Sequence, residues 1–208
     1  MKFFLAISKG IDDATTALGR VMWWLTLFMV LVGFVNVVGR YGFELISSLF
    51  GQAVARAVSG NIYLELQTYS YDLVFLLGAA YVLQTDSHVR VDIVFSNLSN
   101  RVKAIIDVVG GLLFLIPFAI MGIWFSQSYV TRSWLNMEIS PNPGGLARYP
   151  IKTVIIIAFA LLIIQGLSEI IKNVAFLSGH PNSRSIHALK PKTPEPPTAG
   201  ATDDVEAL

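Results

Sequence analysis

Four stretches of this 208-residue chain are apolar over about the length that a helix needs to cross a bilayer's hydrocarbon core, near residues 21–38, 62–84, 105–129 and 151–174. The second is strongly apolar only from Leu73 onward. Backbone groups in hydrocarbon must be hydrogen-bonded internally, which leaves helices or a closed barrel. Barrel strands alternate apolar and polar at every second residue, and these stretches do not. The expected fold is an all-α integral membrane bundle of four transmembrane helices occupying residues 1–178. Composition agrees, since 54% of residues are apolar and 14% charged, against roughly a quarter charged in soluble domains. A net charge of +1 without a concentrated basic face argues against nucleic-acid binding. The absence of cysteine removes disulfides, thiolate chemistry and iron–sulfur clusters.

The apolar run after Lys2 is too short for a signal-peptide core, so the first helix is expected to be retained. Residues 11–20 place Ile11, Ala14 and Leu18 at helical spacing beside Asp12, Asp13 and Arg20. They fit either an interfacial amphipathic helix or an extension of the first span. Pro117 predicts a kink in the third span. Gly78, Ala79, Ala80, Gly110 and Gly111 offer close helix contacts. Residues 179–208, rich in proline and polar groups, read as a disordered tail. With the amino terminus inside, inner segments hold ten Lys and Arg and outer loops five, which predicts both termini in the cytoplasm.

Ionisable groups inside spans are functional candidates. Glu65 and Asp72 lie seven apart on one face. They could form a proton or cation site; alternatively, Glu65 answers the helix dipole and Asp72 pairs with a base elsewhere in the bundle. Asn36, Arg40 and Glu44 follow at intervals of four, suggesting an Arg40–Glu44 pair. Gln165, Glu169 and Lys172 share a face, and Gln165 is deep enough to hydrogen-bond a neighbouring helix. His88, His180 and His187 lie outside the spans, so membrane haem ligation is not expected. No zinc-type spacing, phosphate loop or nucleophile elbow occurs, and no cofactor is expected. A membrane enzyme or respiratory subunit using Glu65 and Asp72 as proton carriers lacks paired intramembrane His, Cys or a metal constellation, and a channel or exporter formed by oligomers would need a continuous polar stripe on at least two helices, where only the second span offers one. The tryptophans Trp23, Trp24, Trp124 and Trp134 fit interfacial anchors.

Several fragments in order carry a resemblance. They are residues 36–41 with Asn36 and Arg40, residues 78–81, residues 88–92 with His88, Arg90 and Asp92, and residues 132–134 beginning at Arg132. Glu138, Ser140-Pro141, Gly144-Gly145-Leu146, Lys152, residues 159–162 and Gln165-Gly166 complete the series. Together they resemble the DctQ-like small permease subunits of tripartite ATP-independent periplasmic (TRAP) transporters. The connection over residues 42–61 is similar to the branch associated with 2-oxo acids, mannitol or chloroaromatic compounds. The resemblance implies a bacterial inner-membrane subunit, not an enzyme, partnered by a large multi-span permease and a periplasmic binding protein. Sodium-driven uptake of an organic acid would then belong to the large subunit, and this chain would brace that subunit's static part. It also implies structural or partner-contact roles for His88, Arg90, Asp92, Arg132, Glu138, Gly144 and Gly145.

Overall fold

A computed structural model of the chain describes residues 2–85 and 98–179. His88, Arg90, Asp92, His180, His187 and the expected tail lie outside those residues. Helix α1 (Lys2–Tyr41) is followed by two short helices, α2 (Phe43–Phe50) and α3 (Gln52–Val58), and then α4 (Asn61–Gln84). Helix α5 (Asn100–Gly110) runs through a π turn (Gly111–Leu115) into α6 (Ile116–Leu135), and α7 (Arg148–Leu177) ends the described chain. Among the described residues three helical stretches are long and apolar enough to cross a membrane: Phe3–Tyr41, Asn100–Leu135 and Arg148–Leu177. Helix α4, over the expected second span, has 24 residues but a polar first half.

Forty residues of α1 run without interruption, about 60 Å at helical rise. Residues 11–20 are therefore an extension of the first span and not a separate surface helix. They do not stand free: Thr15, like Ser8 ahead of them on the same helix, is buried against α7. Helix α7 is the hub of the bundle, packing on α1, α4, α5 and α6, while α1 lies along α4.

Small residues set these approaches, though not all of the expected ones. A side chain at Gly78 or Gly110 would meet nothing within 4 Å, whereas one at Gly111 would touch Ile170 at 3.2 Å. Closer contacts occur where Gly19 faces the Tyr81 ring, Gly122 faces Phe159 and Gly166 receives Leu115. Apolar composition does not reveal which face of a helix meets a neighbour, so glycines of both kinds look alike in the sequence.

Pro117 occupies the first turn of α6, directly after the π turn. Its ring cannot donate and crowds the carbonyl four residues earlier, at Leu113. Opening the preceding turn to i→i+5 bonding relieves that crowding while the helix continues. Where the sequence predicts a kink, the structure shows a local π widening.

Candidate functional site

The polar side chains within the bundle collect in two layers. The first surrounds Glu65, one turn into α4. Its buried carboxylate accepts hydrogen bonds from the Ser140 hydroxyl, from Asn142 Nδ2 at 2.9 Å and from the Leu146 backbone N–H. The loop between α6 and α7 is thereby folded onto α4. Tyr69, one turn later, donates to the carbonyls of Leu146 and Ala147 at 3.3 and 3.2 Å. The loop closes on itself through an isolated bridge between Ile139 and Ala147 and the bonds Ser140 N–H to Leu146 O and Arg148 N–H to Glu138 O. Gly144 has φ +71°, and a Cβ on Gly145 would come within 2.5 Å of the Ser140 Cβ and 3.0 Å of Glu65 Oε1.

Beside this clamp, Glu138 accepts from Ser133 at 2.8 Å and pairs with Lys152 of α7. Those donors hold the Glu138 carboxyl below the ordinary carboxylate range. The Lys152 ammonium also sits 3.9 Å over the Tyr129 ring. Trp134 donates to Thr153 at 2.8 Å and packs on Tyr149, so one of the four tryptophans makes a defined contact within the chain. Arg132 is exposed at the end of α6.

At the same level, Asn36 donates to the Gly60 carbonyl at 3.3 Å and Arg40 to Asn61 Oδ1 at 2.9 Å. The expected Arg40–Glu44 pair does not form. Gly42 interrupts the helix between them, so helical i,i+4 proximity does not extend across it.

The second layer lies at the other end of the same helices. Asp12 Oδ1 accepts from Gln165 Nε2 at 2.9 Å and Ser168 Oγ at 3.0 Å, and Asp12 Oδ2 from Lys172 at 2.8 Å. Gln165 also donates to Glu169 at 3.0 Å and accepts from Thr15 at 2.8 Å. Two carboxylates facing the Gln165 amide fix its orientation, because a flipped amide would oppose its oxygen to theirs. Lys172 joins Glu169 at 2.6 Å, and Ser8 meets Ser168 at 2.7 Å. Gln84 closes the layer from α4, donating to Thr16 and to the Asp12 carbonyl, both at 2.9 Å. Glu169 and Lys172 are therefore parts of an interhelical ion network, where snorkelling would have left their charges in water.

Of this layer the sequence singles out Gln165, with Glu169 and Lys172 on the same face. Asp12, Thr15, Ser8 and Gln84 were not singled out as partners, because a charged segment before an apolar run looks like ordinary flanking sequence. Glu65 and Asp72 do not act as a pair. Glu65 is occupied by the loop, and Asp72 is half-buried with no hydrogen bond or ion pair among the described residues, so the expected basic partner is not found. Among the described residues no cluster of His, Cys, Asp and Glu is arranged to hold a metal ion.

A family model described as tripartite ATP-independent periplasmic transporters, DctQ component, matches residues 29–176. No curated protein and no solved structure matches the chain.

Proposed function

Because this chain belongs to the DctQ family, the small membrane components of TRAP transporters, we propose that it serves a sodium-coupled importer of an organic acid by bracing the large transport subunit. The observation that carries the bracing role is how the polar side chains in the bundle are used. Glu65, Asn36, Gln165 and Asp12 tie elements of this chain to one another, and among the described residues Asn173 Oδ1 is the one buried side-chain nitrogen or oxygen without a hydrogen-bond partner. A subunit built this way offers rigidity and a broad apolar exterior for a neighbour to use.

Helix α4 is the fourth span in this reading. It is bound to α1 at both ends, through Asn36–Gly60 and Arg40–Asn61 at one and Gln84–Thr16 at the other. Its 24 residues measure about 36 Å, enough for the hydrocarbon core. In its polar first half Glu65 and Tyr69 bond the loop, Gln67 faces Gly33 of α1, and the exposed Thr68 hydroxyl is bonded to the Leu64 carbonyl, so lipid need not solvate these groups. Both termini lie in the cytoplasm of a bacterial inner membrane, following the Lys and Arg bias. The clamped loop, with Arg132 and Glu138, then faces the binding protein, while His88, Arg90 and Asp92 serve the large subunit from the opposite side.

The test is affinity purification of the tagged chain in mild detergent, with reconstitution of what is recovered. One large multi-span protein in equal amount is expected, together with uptake that requires the binding protein and a sodium gradient. Recovery of the chain alone, or as a homo-oligomer, overturns the bracing role.

A further inference from the structure

We propose that the α2–α3 hairpin is a lipid-seated foot, lying along the headgroup boundary of the bilayer with Leu45, Leu49 and Phe50 inserted among the acyl chains. The inference rests on the reading of α1 and α4 as spans, because those two helices fix where the hairpin sits. The chain leaves α1 at Arg40 and returns to α4 at Asn61, and these residues are bonded to each other at 2.9 Å. Everything between them starts and ends in the polar layer of Asn36, Arg40 and Gly60. The hairpin is therefore held at the boundary between the apolar belt and water.

Helix α2 is built for that boundary. At about 100° per residue, its side chains sort into three flanks. Phe43, Ile46 and Ser47 are half-buried on the side of the bundle. Leu45 and Leu49 form the next flank, 65% and 66% exposed, with Phe50 at the tip also open. Glu44 and Ser48 form the third and are exposed as well. No residue of α2 is fully buried. An apolar flank beside a polar one on a helix lying at a membrane boundary is the pattern of an interfacial helix.

Continuity identifies the occupant as lipid. The exposed apolar surface of α1 runs through Phe34, Val37, Val38 and Tyr41, and Gly42 alone separates it from α2. Gly42 closes α1 through its N–H to Val38 O and opens α2 by accepting from Ile46 N–H, both at 2.8 Å, so the two helices meet at one residue without a slack loop. The belt that bathes α1 in acyl chains thus continues onto Leu45 and Leu49. On α3, Arg56 is exposed and its guanidinium bonds Gln52 Oε1 at 2.8 Å, a cation suited to the phosphates of that boundary.

The chain contains no cysteine, which allows a direct test. Single substitutions L45C, L49C, E44C, S48C and V30C would be nitroxide-labelled in the full chain with its co-purifying subunit. The complex would be placed in vesicles of phosphatidylethanolamine and phosphatidylglycerol. Collision with oxygen, which partitions into lipid, would be compared with collision with a water-soluble nickel chelate. The ratio of oxygen to nickel collisions is expected to be several-fold higher at 45 and 49 than at 44 and 48. Equal nickel access at all four sites overturns the proposal in favour of a water-exposed hairpin. Shielding of 45 and 49 from both reagents overturns it in favour of a protein partner on that face. Nickel access at V30C, in the middle of α1, would sink the underlying span reading instead, so the two failures are distinguishable.

Discussion

Gly144 and Gly145 stand side by side but are required for different reasons. Gly144 holds a left-handed backbone, in open space, so Gly144→Ala should cost about 1 kcal/mol from local strain alone. Gly145 is crowded by Ser140 and the Glu65 carboxylate, so Gly145→Val should cost about 1–3 kcal/mol through overpacking and also loosen the clamp. Thermal unfolding in detergent, with protease cleavage in residues 136–147 as a second readout, would separate them; equal effects would contradict the distinction. Gln165→Leu leaves Thr15, Asp12 and Glu169 each short of a partner in a fully buried site, and should destabilise by about 2–3 kcal/mol in the same melt. Glu138 gives a pH signature. Its folded-state value is lowered, so its contribution is full above the ordinary carboxylate value of about 4.3 and disappears as pH falls through the lower folded value. Protection of the Arg148 amide, whose N–H is held by the Glu138 carbonyl, should fall relative to its intrinsic exchange rate in that acid range and lose this dependence in Glu138→Gln. The sequence made Gln165 and Glu65 visible, since each is a polar residue in or beside an apolar run. It could not show their partners: those of Glu65 lie 75 to 81 residues away, and no local spacing encodes contacts at that separation.

At the level of elements, hydropathy locates the middle of each long helix and misses the ends. The first stretch was expected over residues 21–38, but the helix extends over Lys2–Tyr41; the third was expected over 105–129 and extends over Asn100–Leu135. Helices do not stop where hydrocarbon does, because backbone bonding continues through polar residues when a neighbour packs against them. The connection after α1 concealed two short helices, divided at Gly51 with φ +87°, which were too brief to leave a clear periodic pattern. The π turn makes its own prediction. A π turn holds one residue more than an α turn, so deleting Leu112 together with Pro117→Ala should give a regular helix that keeps its register on both sides. Deleting Ile120 instead should rotate the rest of α6 by about 100° and displace Trp134 from Thr153 and Glu138 from Lys152. Near-normal partner recovery is expected for the first variant and loss for the second; the opposite ranking would show that the π turn itself is needed.

For the whole molecule, the notable quantity is the separation between the polar layers. Thr15 and Asn36 are 21 residues apart on α1, and Glu65 and Gln84 are 19 apart on α4; both intervals measure about 30 Å along the helix, close to the thickness of bilayer hydrocarbon. Such a bundle is a ruler. Its layers are locked by interhelical hydrogen bonds, so it resists the sliding by which single helices adapt to a thinner or thicker membrane. Melting temperature and partner recovery should therefore peak in lipids whose hydrocarbon core matches that spacing and decline with shorter or longer acyl chains; an indifferent response would mean that the layers yield. If they do not, the host's lipid composition becomes a control on assembly, acting on the protein through length alone.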